Sequence, residues 1–152
     1  MLDCMIKTSP RFSMTRINLV PVTELSDQHL MAEYRELPMV ARALERTLKL
    51  KLAFNFKRVS QTYTLNAGHV YFFYNKATFL SERWQLLIKE LRARNFDIHP
   101  TKRNTQWLVF ESIPQIQWKP TSYEIEISRA RIRERLNQRP GWYRWTPVDI
   151  KS

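Results

Sequence analysis

The chain has 152 residues, 43% apolar and 12% aromatic, enough for one domain with its own packed core and too much for a disordered polymer. Lys and Arg number 25 against 14 Asp and Glu, and the net charge of +11 favours a polyanionic partner: nucleic acid first, an anionic membrane surface second, with a basic protein lacking either as the plain alternative. The one cysteine, Cys4, excludes an internal disulfide framework and a cysteine-rich metal site, and His29, His69 and His99 lack helical metal-ligand spacing, so no metal and no cofactor is expected.

No apolar run approaches the ~18 residues that span a bilayer, and MLDCMIKTSPRFS holds no apolar stretch long enough for a signal peptide. A cytoplasmic protein is expected, nucleoid-associated in a bacterium or nuclear in a eukaryotic host, with no membrane partner. Gly68 and Gly141 are the only glycines, too few for the turns of an all-β chain, so helices are favoured.

The first predicted helix covers residues 27–48, with Leu30, Tyr34, Leu37, Ala41, Leu44 and Leu48 recurring in steps of four and three. Ser26 suits its N-cap, and Pro38 predicts a kink or break. Residues 49–75 are dense in aromatics and read as an irregular segment packed on the helices, with room for short strands. The second helix spans residues 76–95, with Leu80, Trp84, Leu87, Ile88 and Leu91 as its stripe and Glu82, Arg83, Lys89, Glu90 and Arg92 as its solvated remainder. Residues 96–120 look irregular again. The third helix runs over residues 122–138, opened by a Thr121/Glu124 capping box and ended by Pro140 and Gly141, with Ile125, Ile132 and Leu136 pointing one way. The sum is one compact all-α domain of three main helices with long irregular connections.

Three clusters can carry chemistry. Thr15-Arg16-Ile17-Asn18 follows Met14. On the first helix, Gln28, His29, Arg35 and Glu36 lie on one polar side, opposite the Leu30/Tyr34/Leu37 stripe, as either a site or an ordinary solvated face. The third is Arg129, Arg131, Arg133, Arg135, Arg139 and Arg144. Its i,i+4 pairs of like charge repel unless an anion such as phosphate is near, though a solvated basic helix has the same pattern. Next comes Trp142-Tyr143-Arg144-Trp145, which suits either stacking on bases or packing on the core.

Together these clusters resemble a family. MTRINLVPVTELSDQHLMAEYRELP, LNAGHVYFFYNKATFL and ISRARIRERLNQRPGWYRW are similar, in that order, to the N-terminus, middle and C-terminal helix of the pyrimidine dimer DNA glycosylases, the phage endonuclease V family, and the likeness covers about residues 14–145. It implies a monomeric, metal-free, mostly helical DNA-repair enzyme acting on double-stranded DNA that contains pyrimidine dimers or abasic sites. Such an enzyme cuts the glycosidic bond at a cyclobutane dimer, then breaks the strand by β-elimination as an abasic-site lyase. The nucleophile implied is the α-amino group of Thr15, freed by loss of Met14. Glu36 is implied as the catalytic carboxylate, with Arg16, Gln28, His29, Arg35, Arg131 and Arg135 as DNA contacts and Trp142 and Tyr143 in dimer recognition. An α-amino group with a pKa of about 7.7–8.0 is far less protonated at neutral pH than a lysine near 10.4, which suits such a nucleophile.

Two features depart from that family. Met39 stands where its members carry a basic residue, which removes one phosphate contact. Residues 1–13 form an N-terminal extension, expected to be disordered or absent from the active form, ahead of a glycosylase domain over residues 14–152. With the extension attached, the Thr15 nitrogen is a peptide amide and no nucleophile. A non-catalytic DNA-binding protein of the same fold is the main rival, and an RNA-binding protein of ribosomal type the more distant one.

Overall fold

The computed structural model describes residues 16–50, 55–102 and 107–148. Helix α1 (Asp27–Glu36) begins where the Ser26 side chain accepts a hydrogen bond from the His29 N–H, as its sequence suggested. It stops at Leu37 because Pro38 has no N–H to continue the ladder, and α2 (Met39–Lys49) starts directly afterwards. The helix expected over residues 27–48 is thus two helices with a break. Their apolar stripe faces inward throughout: Leu30, Tyr34, Leu37, Ala41 and Leu44 are buried, and Leu48 packs at the margin.

The next stretch holds a 3-10 turn, Phe56–Arg58, and a one-turn helix, α3 (His69–Phe72). Gly68 opens α3 at φ 99°, a left-handed conformation that a side chain would strain. No strand forms among the described residues. Helix α4 (Ala77–Ala93) ends in a left-handed turn at Asn95, where the Phe96 N–H returns to the Leu91 carbonyl at 3.0 Å. It is slightly shorter than expected at both ends. The described residues of 96–120 contribute the 3-10 turns Pro100–Lys102 and Trp107–Ser112. Helix α5 (Ser122–Gln138) has its expected bounds, and both hydrogen bonds of the Thr121/Glu124 capping box are present.

Helices α1 and α4 pack face to face, with Tyr34 stacked on Trp84 at 4.8 Å between ring centroids. Leu80, Leu87, Ile88 and Leu91 complete the α4 side of that interface. A second apolar group gathers Tyr63, Phe72, Phe73, Phe79 and Trp118 in edge-to-face and stacked pairs, so the aromatic-rich segment does pack on the helices.

Two residues expected on the solvated side of α4 are buried instead. The Arg83 Nε donates to Glu33 Oε2 at 2.6 Å, and its Nη1 donates to the Val20 carbonyl. Glu90 accepts from Arg94 Nε at 3.0 Å. A buried charge is tolerated when paired and hydrogen-bonded. Periodicity reports polarity along one helix, and these partners lie on other segments or past the helix end.

Candidate active site

Residues 16–20 have no regular secondary structure, residues 17–20 are buried, and four consecutive backbone N–H groups end on side chains. Arg16 donates to Glu36 Oε2 at 3.1 Å, Ile17 to His69 Nε2 at 2.8 Å, Asn18 to Glu33 Oε1 at 3.0 Å and Leu19 to Ser128 Oγ at 2.9 Å. The Tyr63 hydroxyl donates to the Ile17 carbonyl at 2.8 Å. Buried backbone groups need partners. Here α1, α3 and α5 supply them, so a segment with no secondary structure of its own is fixed by three helices.

Glu36 closes α1 beside this segment. Burial pushes its carboxyl above the usual range, and the Glu33 carboxylate adds to that, while the Arg16 N–H and the charges of Arg131 and Arg16 oppose it. The result is a half-buried carboxylate with raised proton affinity, facing cations. Arg131 is half-buried too. Burial lowers its proton affinity, as do the neighbouring charges of Arg16 and Arg135. Three guanidinium groups therefore crowd one place. Among the described residues, the buried Nη1 of Arg16 has no hydrogen-bond partner.

The chain after α5 folds back over the start of α1. The Asp27 N–H donates to the Arg144 carbonyl at 2.7 Å, and the Asp27 carboxylate accepts from the Thr146 hydroxyl at 2.6 Å and from Arg94 at 3.0 Å. Gln28 uses both ends of its amide on this tail: Nε2 donates to the Trp142 carbonyl at 2.8 Å, and Oε1 accepts from the Arg144 N–H at 3.0 Å. Between those two anchors Tyr143 stacks on His29, with centroids 4.7 Å apart. Burial, then the charges of Arg131 and Arg135, lower the His29 pKa to about 4, so this ring is neutral at physiological pH. Trp142 lies outside, 44% exposed, with the Arg139 guanidinium 3.9 Å from its ring centroid. The two aromatics are thus a surface feature, not core.

The structure brings together Arg16, Glu36, Arg131, Arg135, His29 and Tyr143, with Gln28 and Trp142 at the margin. Arg35 stands apart from them. It is exposed and lines a separate cleft with Met31, Arg42, Asp97 and His99. The single polar side expected for Gln28, His29, Arg35 and Glu36 is therefore split. Of the other arginines on α5, Arg129 is bound by Glu24 and Glu126, and exposed Arg133 lines a shallow cleft with Glu134 and Asn137. Thr15 and the extension lie outside the described residues. His69, Tyr63, Ser128 and Glu33 were not foreseen as site residues. Their partners are backbone amides and carbonyls far away in sequence, which no side-chain pattern announces.

No three His, Cys, Asp or Glu among the described residues could hold a metal ion together, and none of their helices is long and apolar enough to cross a membrane. A family model described as Pyrimidine dimer DNA glycosylase matches residues 14–104. The matched stretch takes in the clamped segment, α1 with Glu36, and α3 with His69. It covers more than half of the sequence. A basic, all-helical chain with a carboxylate seated among arginines thus belongs to the pyrimidine dimer DNA glycosylase family.

Proposed function

We propose that this protein excises cyclobutane pyrimidine dimers from double-stranded DNA and cuts the strand at the abasic site so formed, with the α-amino group of Thr15 as nucleophile. The observation that carries the reading is the hydrogen bond from the Arg16 N–H to Glu36. It puts a carboxylate of raised proton affinity at the amide next along the chain from the Thr15 amine.

In the first step the amine attacks C1′ of the damaged nucleotide and the glycosidic bond breaks, its electron pair leaving with the base. The added nitrogen then gives up a proton, and its lone pair forms the C1′=N bond. The C1′–O4′ bond breaks with its electrons and a proton going to O4′, which opens the sugar ring to an iminium joined to Thr15. Glu36 stabilises the cation and takes the proton from C2′. The electrons freed there expel the 3′ phosphate, and water finally hydrolyses the imine. Arg16, Arg131 and Arg135 hold the strand by its phosphates. Trp142 and Tyr143 bear on the dimer, whose weakened pairing lowers the energy needed to extrude a nucleotide. The protein acts as a monomer.

The amine must be free. Two forms of the protein separate the possibilities: one with Thr15 as its first residue, the other with all 152 residues and an intact mass. Each is incubated with dimer-containing duplex and borohydride, which fixes an imine covalently. The Thr15 form should be trapped, and the longer chain should bind DNA without trapping. Efficient trapping of the intact longer chain would remove Thr15 and direct attention to a lysine. Binding without trapping in both forms would favour a non-catalytic DNA-binding protein of this fold.

A further inference from the structure

Among the four side chains that clamp residues 16–19, His69 has a distinctive position. It is fully buried, and both ring nitrogens are engaged: Nε2 accepts from the Ile17 N–H at 2.8 Å, and Nδ1 lies 2.7 Å from the Thr64 carbonyl. A carbonyl can only accept, so Nδ1 carries the proton and Nε2 presents its lone pair. Thr64 thereby selects the tautomer that Ile17 needs. The ring is set further by edge contacts to Tyr63 at 5.3 Å and Phe73 at 5.4 Å, and its backbone by the left-handed Gly68 ahead of α3. Tyr63 in turn donates to the Ile17 carbonyl. Residue 17 is therefore held at both of its backbone polar groups by adjacent, mutually packed side chains.

We propose that His69, with Tyr63 beside it, is a positioning residue for imine formation, fixing the backbone of Ile17 so that the Thr15 amine and Glu36 meet the sugar together. The inference rests on the amine mechanism given above. Chain ends fray unless tied down, and a nucleophile carried on such an end reacts efficiently only when its approach is fixed. A misplacement of about 1 Å is enough to slow a reaction by roughly 100-fold. Asn18 and Leu19 are anchored further from the reacting end, and the Arg16 amide is committed to Glu36 itself. His69 is the first anchor beyond that pair, so the angle at which the terminus meets the carboxylate depends on it. Its neutral form is also what burial favours, lowering its pKa to about 4.

The test uses the Thr15 form, with single-turnover trapping on a duplex containing an abasic site and a separate measurement of affinity for that duplex. His69→Leu, which removes both hydrogen bonds, should slow trapping by about 100-fold while Kd stays within about threefold. His69→Gln, which keeps an acceptor near the Nε2 position, should recover at least about tenfold of that loss. Leu87→Ala, a truncation in the buried face of α4, supplies a protein destabilised away from the segment and should trap at the parent rate where it is folded. Parent-rate trapping by His69→Leu would overturn the proposal, and so would equal slowing by Leu87→Ala. Should His69→Leu fail to fold, Tyr63→Phe decides: it should slow trapping by about tenfold with binding retained, and a parent rate would overturn the role. If the unaltered Thr15 form is never trapped, the amine mechanism itself has failed and this role with it, whereas a trapped parent and unaffected variants reject His69 and Tyr63 alone.

Discussion

At the scale of single residues, the site turns on what each side chain has left to offer once the fold has used it. Glu36 has one oxygen on the Arg16 amide and remains half-buried among cations, so it keeps capacity for chemistry. Glu33, one turn earlier, has none: its two oxygens take Asn18 and Arg83, and it is 1% exposed. Two glutamates on one helix thereby differ: the fold uses both oxygens of Glu33 and only one of Glu36. Glu36→Gln keeps an acceptor for the Arg16 amide while losing charge and basicity. Strand cleavage should fall by at least ~100-fold while dimer-containing duplex is still bound. Cleavage at the parent rate would take Glu36 out of the mechanism. Gln28 is a different case. Each end of its amide holds the tail on one side of Tyr143, so a role in orienting that ring is the expectation to test. Gln28→Leu and Trp142→Ala should each lower the preference for dimer-containing over intact duplex and leave affinity for intact DNA nearly unchanged. A uniform loss on both duplexes would instead mark Gln28 as a phosphate contact.

At the scale of elements, helix α5 shows how one basic sequence serves two ends. Arg131 and Arg135 face the site, whereas Arg129 is bound by Glu24 and Glu126. The salt dependence of duplex binding should separate them. Arg131→Ala and Arg135→Ala should each reduce the slope of log affinity against log salt by about one unit, on damaged and undamaged duplex alike. Arg129→Ala should leave the slope as it is, because that guanidinium already has carboxylate partners. Equal slopes for all three variants would mean that α5 meets DNA along its whole length. The sequence made these helices legible because their signals are local: a Ser26 cap, a proline at 38, a capping box at Thr121 and apolar steps of three and four. Glu36, Arg131 and Tyr143 were legible through motif resemblance. Periodicity misplaced Arg83 and Glu90, since a buried ion pair looks like two solvated charges until both partners are seen. It also grouped Arg35 with Glu36, although adjacent helical residues point about 100° apart. The clamp on residues 16–19 left no trace in the sequence, because it joins side chains to amides 15 to 109 positions away.

At the scale of the whole molecule, the buried imidazoles tie folding to pH. Burial lowers both His69 and His29 to about 4 from an ordinary 6.5. Between those values the unfolded chain binds protons that the folded chain refuses, so stability is full above about 6.5 and is lost as pH falls toward 4. His69 is the more deeply buried of the two, and its shift corresponds to about 3 kcal/mol. His29 is partly open to solvent, so its contribution is smaller. Glu36 acts with the opposite sign. Its raised carboxyl lets the folded state hold a proton that the unfolded state has released, so acidification above its ordinary pKa of 4.5 favours folding. Two imidazoles outweigh one carboxylate, and the net expectation is acid lability that begins well above the usual carboxylate range. Thermal unfolding followed from pH 7 to pH 4.5 should show Tm falling by about 10 °C, taking about 2–4 °C per kcal/mol for a chain of this size. Added salt should remove little of this fall, because burial rather than exposed like charge is the first cause at both rings. His69→Gln, which has nothing to titrate, should flatten the curve, whereas Glu36→Gln should steepen it by removing the opposing contribution. If the His69→Gln curve ran parallel to that of the parent, the acid sensitivity would have to come from elsewhere, and the neutral ring holding Ile17 would not be what ties the fold to pH.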